Sequence, residues 1–125
     1  MTVIPAADRR TTTTPNATMT TCCTPEQGAS TIAVWLTAMF PGAEGPWHRL
    51  DGEQVLTVLA GAVTLEHAGT TIRLGPGDAA VIPADDERRL TADAERGVEM
   101  ACAAPRPLRA HDGEGTDRGV PDWMR

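Results

Sequence analysis

The stretch that decides the fold is Pro41-Gly42-Ala43-Glu44-Gly45-Pro46-Trp47-His48-Arg49-Leu50-Asp51-Gly52-Glu53-Gln54, running into Val55-Leu56-Thr57-Val58-Leu59-Ala60-Gly61. It opens on a Pro-Gly break, carries one histidine, and passes into β-branched and aliphatic residues that stop at a glycine. Gln54 to Leu59 therefore reads as a strand, with a tight turn at Gly61. Downstream, Gly75-Pro76-Gly77-Asp78 is the strongest turn signal in the chain, and Ala79 to Ile82 follows as another strand.

Working outward, further strands are expected at Thr18–Thr24, Ser30–Phe40, around His48, at Ala62–His67, Thr70–Leu74, Arg88–Thr91 and Gly97–Ala103. Short strands every 8–12 residues or so are the rhythm of a sandwich or small barrel. Helical periodicity is weak throughout and no internal repeat appears. Residues 1–17 are polar, with Pro5, Pro15 and a threonine run, and read as a flexible arm ahead of a barrel over 18–104. Residues 105–125 form a Gly/Pro-rich tail whose Pro121-Asp122-Trp123 ending predicts docking through Trp123, over a barrel mouth or an interface.

At 125 residues the chain makes one domain, long enough for a core without disulfide or metal staples. Its net charge of -6 and the lack of a basic stripe argue against nucleic acid. No stretch approaches a membrane span, and no apolar run follows Arg9-Arg10 to make a signal peptide. Cys22, Cys23 and Cys102 are odd in number and lack zinc-site spacing, so a reduced cytoplasm is the expected setting. All eleven basic residues are arginine, and tyrosine is absent, a bias that fits a GC-rich genome. Without lysine there is no side-chain Schiff base; without tyrosine there is no phenolic acid. Proton chemistry falls to His, Asp, Glu, Cys or water.

The spacing resembles the cupin family. Its first motif, G-x5-H-x-H-x3-E-x6-G, is met by Gly42, His48 and Gly61, while Leu50 replaces the second histidine and Gln54 the glutamate. Its second motif, G-x5-P-x-G-x2-H-x3-N, is met by Gly77 and Pro83; Asp85, Arg88 and Ala92 stand at the remaining places. The match spans roughly residues 30 to 104. The resemblance implies an all-β fold, a single-domain double-stranded β-helix (jelly-roll) barrel, and a homodimer in which the arm before Ser30 pairs with a second copy's sheet. Of the four usual metal ligands only His48 survives. Zinc, iron and manganese need three or four N, S or carboxylate donors, and a guanidinium does not deprotonate to ligate. Neither metal nor other cofactor is expected; rescue by Glu53 or Cys102 requires an unusual geometry.

The same resemblance points His48, Leu50 and Gln54 into the barrel and puts Arg88 where the second motif has its histidine. Strand alternation continues that face through Leu56 and Val58, and groups Val98, Met100 and Cys102 on the last strand, with Glu53 and Glu99 outside. Trp47 is expected as a pocket wall. Each polar candidate has two readings. His48 is an acid/base, or a structural group bonded to Gln54 or a backbone carbonyl. Arg88 grips an anionic oxygen, or belongs with Arg89 to a solvated charge cluster after Asp85-Asp86-Glu87. Gln54 orients a substrate carbonyl, or is satisfied locally. Cys102 is a buried hydrophobe, or a thiolate near a cation. His67 and His111 read as surface residues. Three functions compete: a metal-independent isomerase, cyclase or lyase acting on a small apolar oxygenated molecule, a role the resemblance permits in bacterial natural-product biosynthesis; a non-catalytic ligand-binding or sensor module; and an atypical metal-dependent, dioxygenase-like enzyme.

Overall fold

Burial alternates residue by residue along the central strands, and this alternation closes the chain into two facing antiparallel sheets. The computed structural model describes all 125 residues. It has strands β1 (Thr11–Thr13), β2 (Ala17–Cys23), β3 (Ala33–Met39), β4 (His48–Leu50), β5 (Gln54–Gly61) and β6 (Val63–His67). These are followed by β7 (Thr70–Leu74), β8 (Ala79–Ile82), β9 (Arg88–Ala92), β10 (Val98–Ala104), β11 (Ala110–Asp112) and β12 (Asp117–Gly119), with three short 3-10 turns and no α-helix. One sheet runs β1-β2-β3-β10-β5-β8 and the other β12-β11-β4-β9-β6-β7, the arrangement of a jelly-roll barrel. No helix is long and apolar enough to cross a membrane.

The core lies between the sheets. On β5, Gln54, Leu56 and Val58 are buried while Glu53 just before them is exposed; on β10, Val98, Met100, Cys102 and Ala104 are buried and Glu99 is exposed. Period-two alternation with one apolar face sets this register, because a one-residue slip would turn every apolar side chain outward. Trp35, Val63 and Leu108 complete the packing.

Two turns hold special backbone. Gly61 ends β5 at φ 71°, and a Cβ there would collide with the carbonyl oxygen of Gly97. Asp85, at the place of a motif glycine, adopts φ 64°, a left-handed conformation that glycine takes without penalty.

The termini differ from expectation. Residues 1–17 hold β1, whose threonines pair with β2 through Thr11↔Thr20 and Thr13↔Thr18. β-branched residues favour that extended pairing. The arm therefore bonds to its own chain's sheet, the pairing expected with a second copy. Beyond residue 104 the second sheet continues: Ala110 pairs with Leu50, and β12 folds back on β11. The tail ends against the first sheet, where Thr21 Oγ1 donates to the Trp123 carbonyl at 2.9 Å and Met124 is buried. The carbonyl of Arg125 accepts bonds from Arg10 and from Thr24 Oγ1.

Candidate functional site at the barrel mouth

A cavity of about 670 Å³ opens between the sheets at one end of the barrel. Its walls are mostly apolar: Trp35, Leu50 and Met100 from the barrel, Met19 from β2, and Trp123 and Met124 from the tail. Trp47, His48, Gln54 and Cys102 also line it.

His48 begins β4, two residues after Pro46. Its Nδ1 lies 2.9 Å from the Pro46 carbonyl oxygen. A carbonyl only accepts, so Nδ1 carries the proton and Nε2 keeps its lone pair. Burial pushes the imidazole pKa below 6.5; the Pro46 bond opposes that shift, and the Arg88 cation adds to it. The ring is therefore neutral at pH 7, with Nε2 available as a base.

Gln54 begins β5 and is 6% exposed. Its Oε1 accepts a 2.7 Å hydrogen bond from Arg88 Nη2. Arg88 begins β9, opposite His48 in register, and is 0% exposed. Its Nη1 donates to the Asp86 carbonyl at 2.8 Å, and its Nε is buried without a partner. Burial lowers the guanidinium pKa to about 10, opposed by attraction from Asp86, so the group remains a cation at neutral pH. At 0% exposure Arg88 does not belong to a solvated charge cluster. Arg88 does not line the cavity but stands behind Gln54. Arg89, by alternation, points outward and pairs with Glu44 and Glu66.

Leu56 and Val58 share the inward face of β5 but lie outside the cavity wall, in the closed core. The cavity lies against β2, β3 and β10, and of the buried side chains on β5 only Gln54, at the start of the strand, reaches it. Met100 pairs with Val58, and its longer side chain reaches the cavity. Cys102 reaches it too, as a thiol: burial raises its pKa to about 12, against hydrogen bonds from Thr37 and Gln54. Thr37 Oγ1 is 3.8 Å from its sulfur. The thiolate reading fails because Arg88 bonds Gln54 and Asp86 and does not touch the sulfur.

Trp123 lines the cavity as expected, but three further tail residues were not anticipated. His111, Asp112 and Arg118 join the cavity lining because β11 pairs with β4, placing Asp112 opposite His48. His111, read as a surface residue, is half-buried, and its Nδ1 has no partner. Asp112 caps the turn by accepting from the Glu114 and Thr116 amides and pairs with Arg118 at 2.7 Å. The turn signal Asp112-Gly113-Glu114-Gly115, flanked by short extended segments, was the legible cue for this hairpin. His67 is half-buried and bonds Asp86 Oδ2 at 2.7 Å, beside a separate open pocket of about 410 Å³ that it lines with Trp47 and Glu87. Arg89 stacks over Trp47, 5.1 Å from the ring centre.

The family resemblance raises the question of a metal, and the donor set does not fit one. No three His, Cys, Asp or Glu side chains are grouped to hold an ion. Leu50 has no donor atom, the Gln54 oxygen is taken by Arg88, and Arg88 brings a buried positive charge to the place of a ligand.

Comparison with known proteins agrees with this architecture. No curated protein matches the sequence. The polyketide cyclase RemF from Streptomyces resistomycificus superposes with a TM-score of 0.75 at 21% identity, covering 97% of this chain and 86% of that one. KdgF from Halomonas sp. gives 0.70 at 20% identity, over 85% of this chain and 94% of that one. A salicylate 1,2-dioxygenase from Pseudoaminobacter salicylatoxidans gives 0.72 at 20% identity, covering 83% of this chain and 31% of that one. At such identities the likeness speaks for the fold alone. The Cupin domain family model matches residues 35–103, more than half of the chain, so the chain belongs to the cupin family.

Proposed function

We propose that this cupin is a metal-independent small-molecule enzyme of isomerase, cyclase or lyase type, with His48 as its proton carrier. The observation that carries the reading is the state of His48: a neutral ring on an apolar cavity, with Nδ1 occupied by Pro46 and Nε2 free. The substrate is a small, mainly apolar oxygenated molecule, matched to walls such as Trp35, Leu50 and Met100.

The chemistry suited to this arrangement is proton abstraction next to a carbonyl. The substrate C–H bond breaks, its proton goes to His48 Nε2, and the electron pair moves to the carbonyl oxygen, giving an enolate. The Gln54 NH2 group orients the substrate in the cavity. Return of the proton to another carbon is an isomerisation; attack of the enolate carbon on a second carbonyl of the same molecule, which then takes the proton on its oxygen, is a cyclisation. Neither needs an external oxidant or reductant. A polyketide cyclase among the structural relatives supports the reading by analogy of fold only. The dioxygenase alternative has a relative too, but the residues at the ligand positions disfavour it.

A homodimer and a cytoplasmic setting belong to the same reading. The three cysteines are free thiols, and the outward faces of Val34, Leu36, Val55 and Val81 leave an uncharged strip on the first sheet. The test is turnover by His48→Ala on substrates supplied as a panel of small enolisable aromatic ketones and polyketone esters. Loss of turnover with retained binding supports the proposal. Binding without turnover in the wild type would transfer the site to the ligand-binding alternative.

A further inference from the structure

Arg88 is a fully buried cation with no anionic partner in contact. Its two hydrogen bonds go to neutral oxygens, Gln54 Oε1 and the Asp86 carbonyl, and Nε has none. The Asp86 carboxylate attracts it from a distance and hydrogen-bonds His67 at 2.7 Å. A buried cation that no carboxylate touches is costly, and an anion brought nearer would balance it better. The acids on the cavity wall do not balance it: Asp112 is paired with Arg118 at 2.7 Å and Asp122 with Arg125 at 3.9 Å.

The same bond settles which way the Gln54 amide points. Arg88 has only donors, so the Gln54 atom facing it is the oxygen, and the NH2 group faces the other way, toward Cys102 and the cavity. Cys102 is a weak acceptor and leaves an N–H free. A cation pulling on the amide oxygen strengthens its N–H groups as donors, since linked hydrogen bonds polarise one another. In a chain of net charge -6, the floor of the cavity is thus a polarised donor backed by a positive charge.

We infer that the cavity takes a mainly apolar molecule bearing a carboxylate, with the carboxylate seated on the Gln54 NH2 group and Arg88 behind it as counter-charge. The inference rests on the proposed use of this cavity as a small-molecule site. It does not require that His48 be catalytic. Gln54 is the contact residue and Arg88 acts through it as a positioning residue.

The test measures binding to the full-length chain by calorimetry at pH 7.5, with 2-naphthoate against its neutral isostere 2-naphthamide. The wild type should bind the carboxylate at least about tenfold more tightly, the scale of one charge-assisted hydrogen bond over a neutral one. Arg88→Met should bring the two affinities within about twofold by weakening the carboxylate alone. Gln54→Glu supplies an internal carboxylate for Arg88 and should abolish naphthoate binding while raising thermal stability, a result that does not depend on the Met variant folding. Equal affinity of the wild type for both compounds, no binding of either at millimolar concentration, or a carboxylate preference that survives in Arg88→Met or Gln54→Glu would each overturn the inference. The enzymatic reading is scored separately, by turnover of His48→Ala.

Discussion

Gln54 Oε1 and Arg88 Nη2 meet at 2.7 Å, at the two places where the family pattern has a glutamate and a histidine to hold a metal. The pair replaces a metal-directed donor set with an internal hydrogen bond. Of the motif positions, what remains open to the cavity is the His48 imidazole nitrogen and the Gln54 NH2 group.

The first consequence concerns pH. His48 is held neutral below its ordinary 6.5 by burial, so the base form persists into mildly acid solution. The acid limb of kcat/KM should fall below pH 6.5 in the wild type. His48→Ala should lose that limb and about 10²–10⁴-fold in rate, and His48→Gln should not recover it, because an amide does not shuttle a proton. Stability moves in the same direction. The unfolded chain takes up the proton first as pH falls through 6.5, so the folded state loses stability toward acid until His48 itself titrates. The Tm drop between pH 7.5 and pH 5.5 should be smaller in His48→Gln than in the wild type. An equal drop would show that His48 is not buried neutral.

Metal content gives a second check. With Leu50 and Arg88 at ligand positions, protein purified without added metal should hold no stoichiometric zinc, iron, manganese or nickel, and EDTA should leave its Tm unchanged. Elemental analysis finding one such ion per chain, lost in His48→Ala, would contradict the assignment.

Thiol reactivity should separate the three cysteines. Cys102 is buried with its pKa raised to about 12, whereas Cys22 and Cys23 are half-buried on β2. Iodoacetamide at pH 8 should label the native chain only at Cys22 or Cys23, with Cys102 modified after denaturation. Peptide mass mapping reads this directly; native labelling of Cys102 would indicate an open barrel mouth.

Two turn positions predict opposite outcomes. Gly61→Ala must place a Cβ against the Gly97 carbonyl at a positive φ, and should lower stability by about 1–3 kcal/mol or more. Asp85→Gly relieves a left-handed aspartate and sacrifices only an exposed pair with Arg49, so denaturant unfolding should find it within about 1 kcal/mol of the wild type. Leu56→Ala, in the closed core, should cost about 2–5 kcal/mol while leaving the cavity's ligand affinity intact.

The class of fold and the inward face of its central strands were legible from residue order alone. Gly42, His48 and Gly61, with Gly77 and Pro83 downstream, carried the spacing, and alternation along Gln54-Leu56-Val58 and Val98-Met100-Cys102 placed the inner face correctly. These signals are local: a turn glycine and a two-residue period depend only on neighbouring backbone and on which side meets water. Which strands wall the cavity is not local, and so Leu56 and Val58 were assigned to a cavity that lies against β2, β3 and β10 instead. What Arg88 touches, which way the Gln54 amide points, and the joining of β11 to β4 beside His48 came from the folded structure alone. Each of these is a contact between segments far apart in the chain. Spacing does not encode a hydrogen bond across 34 residues, because that bond exists only once two separate strands have been brought to adjoining positions around one cavity.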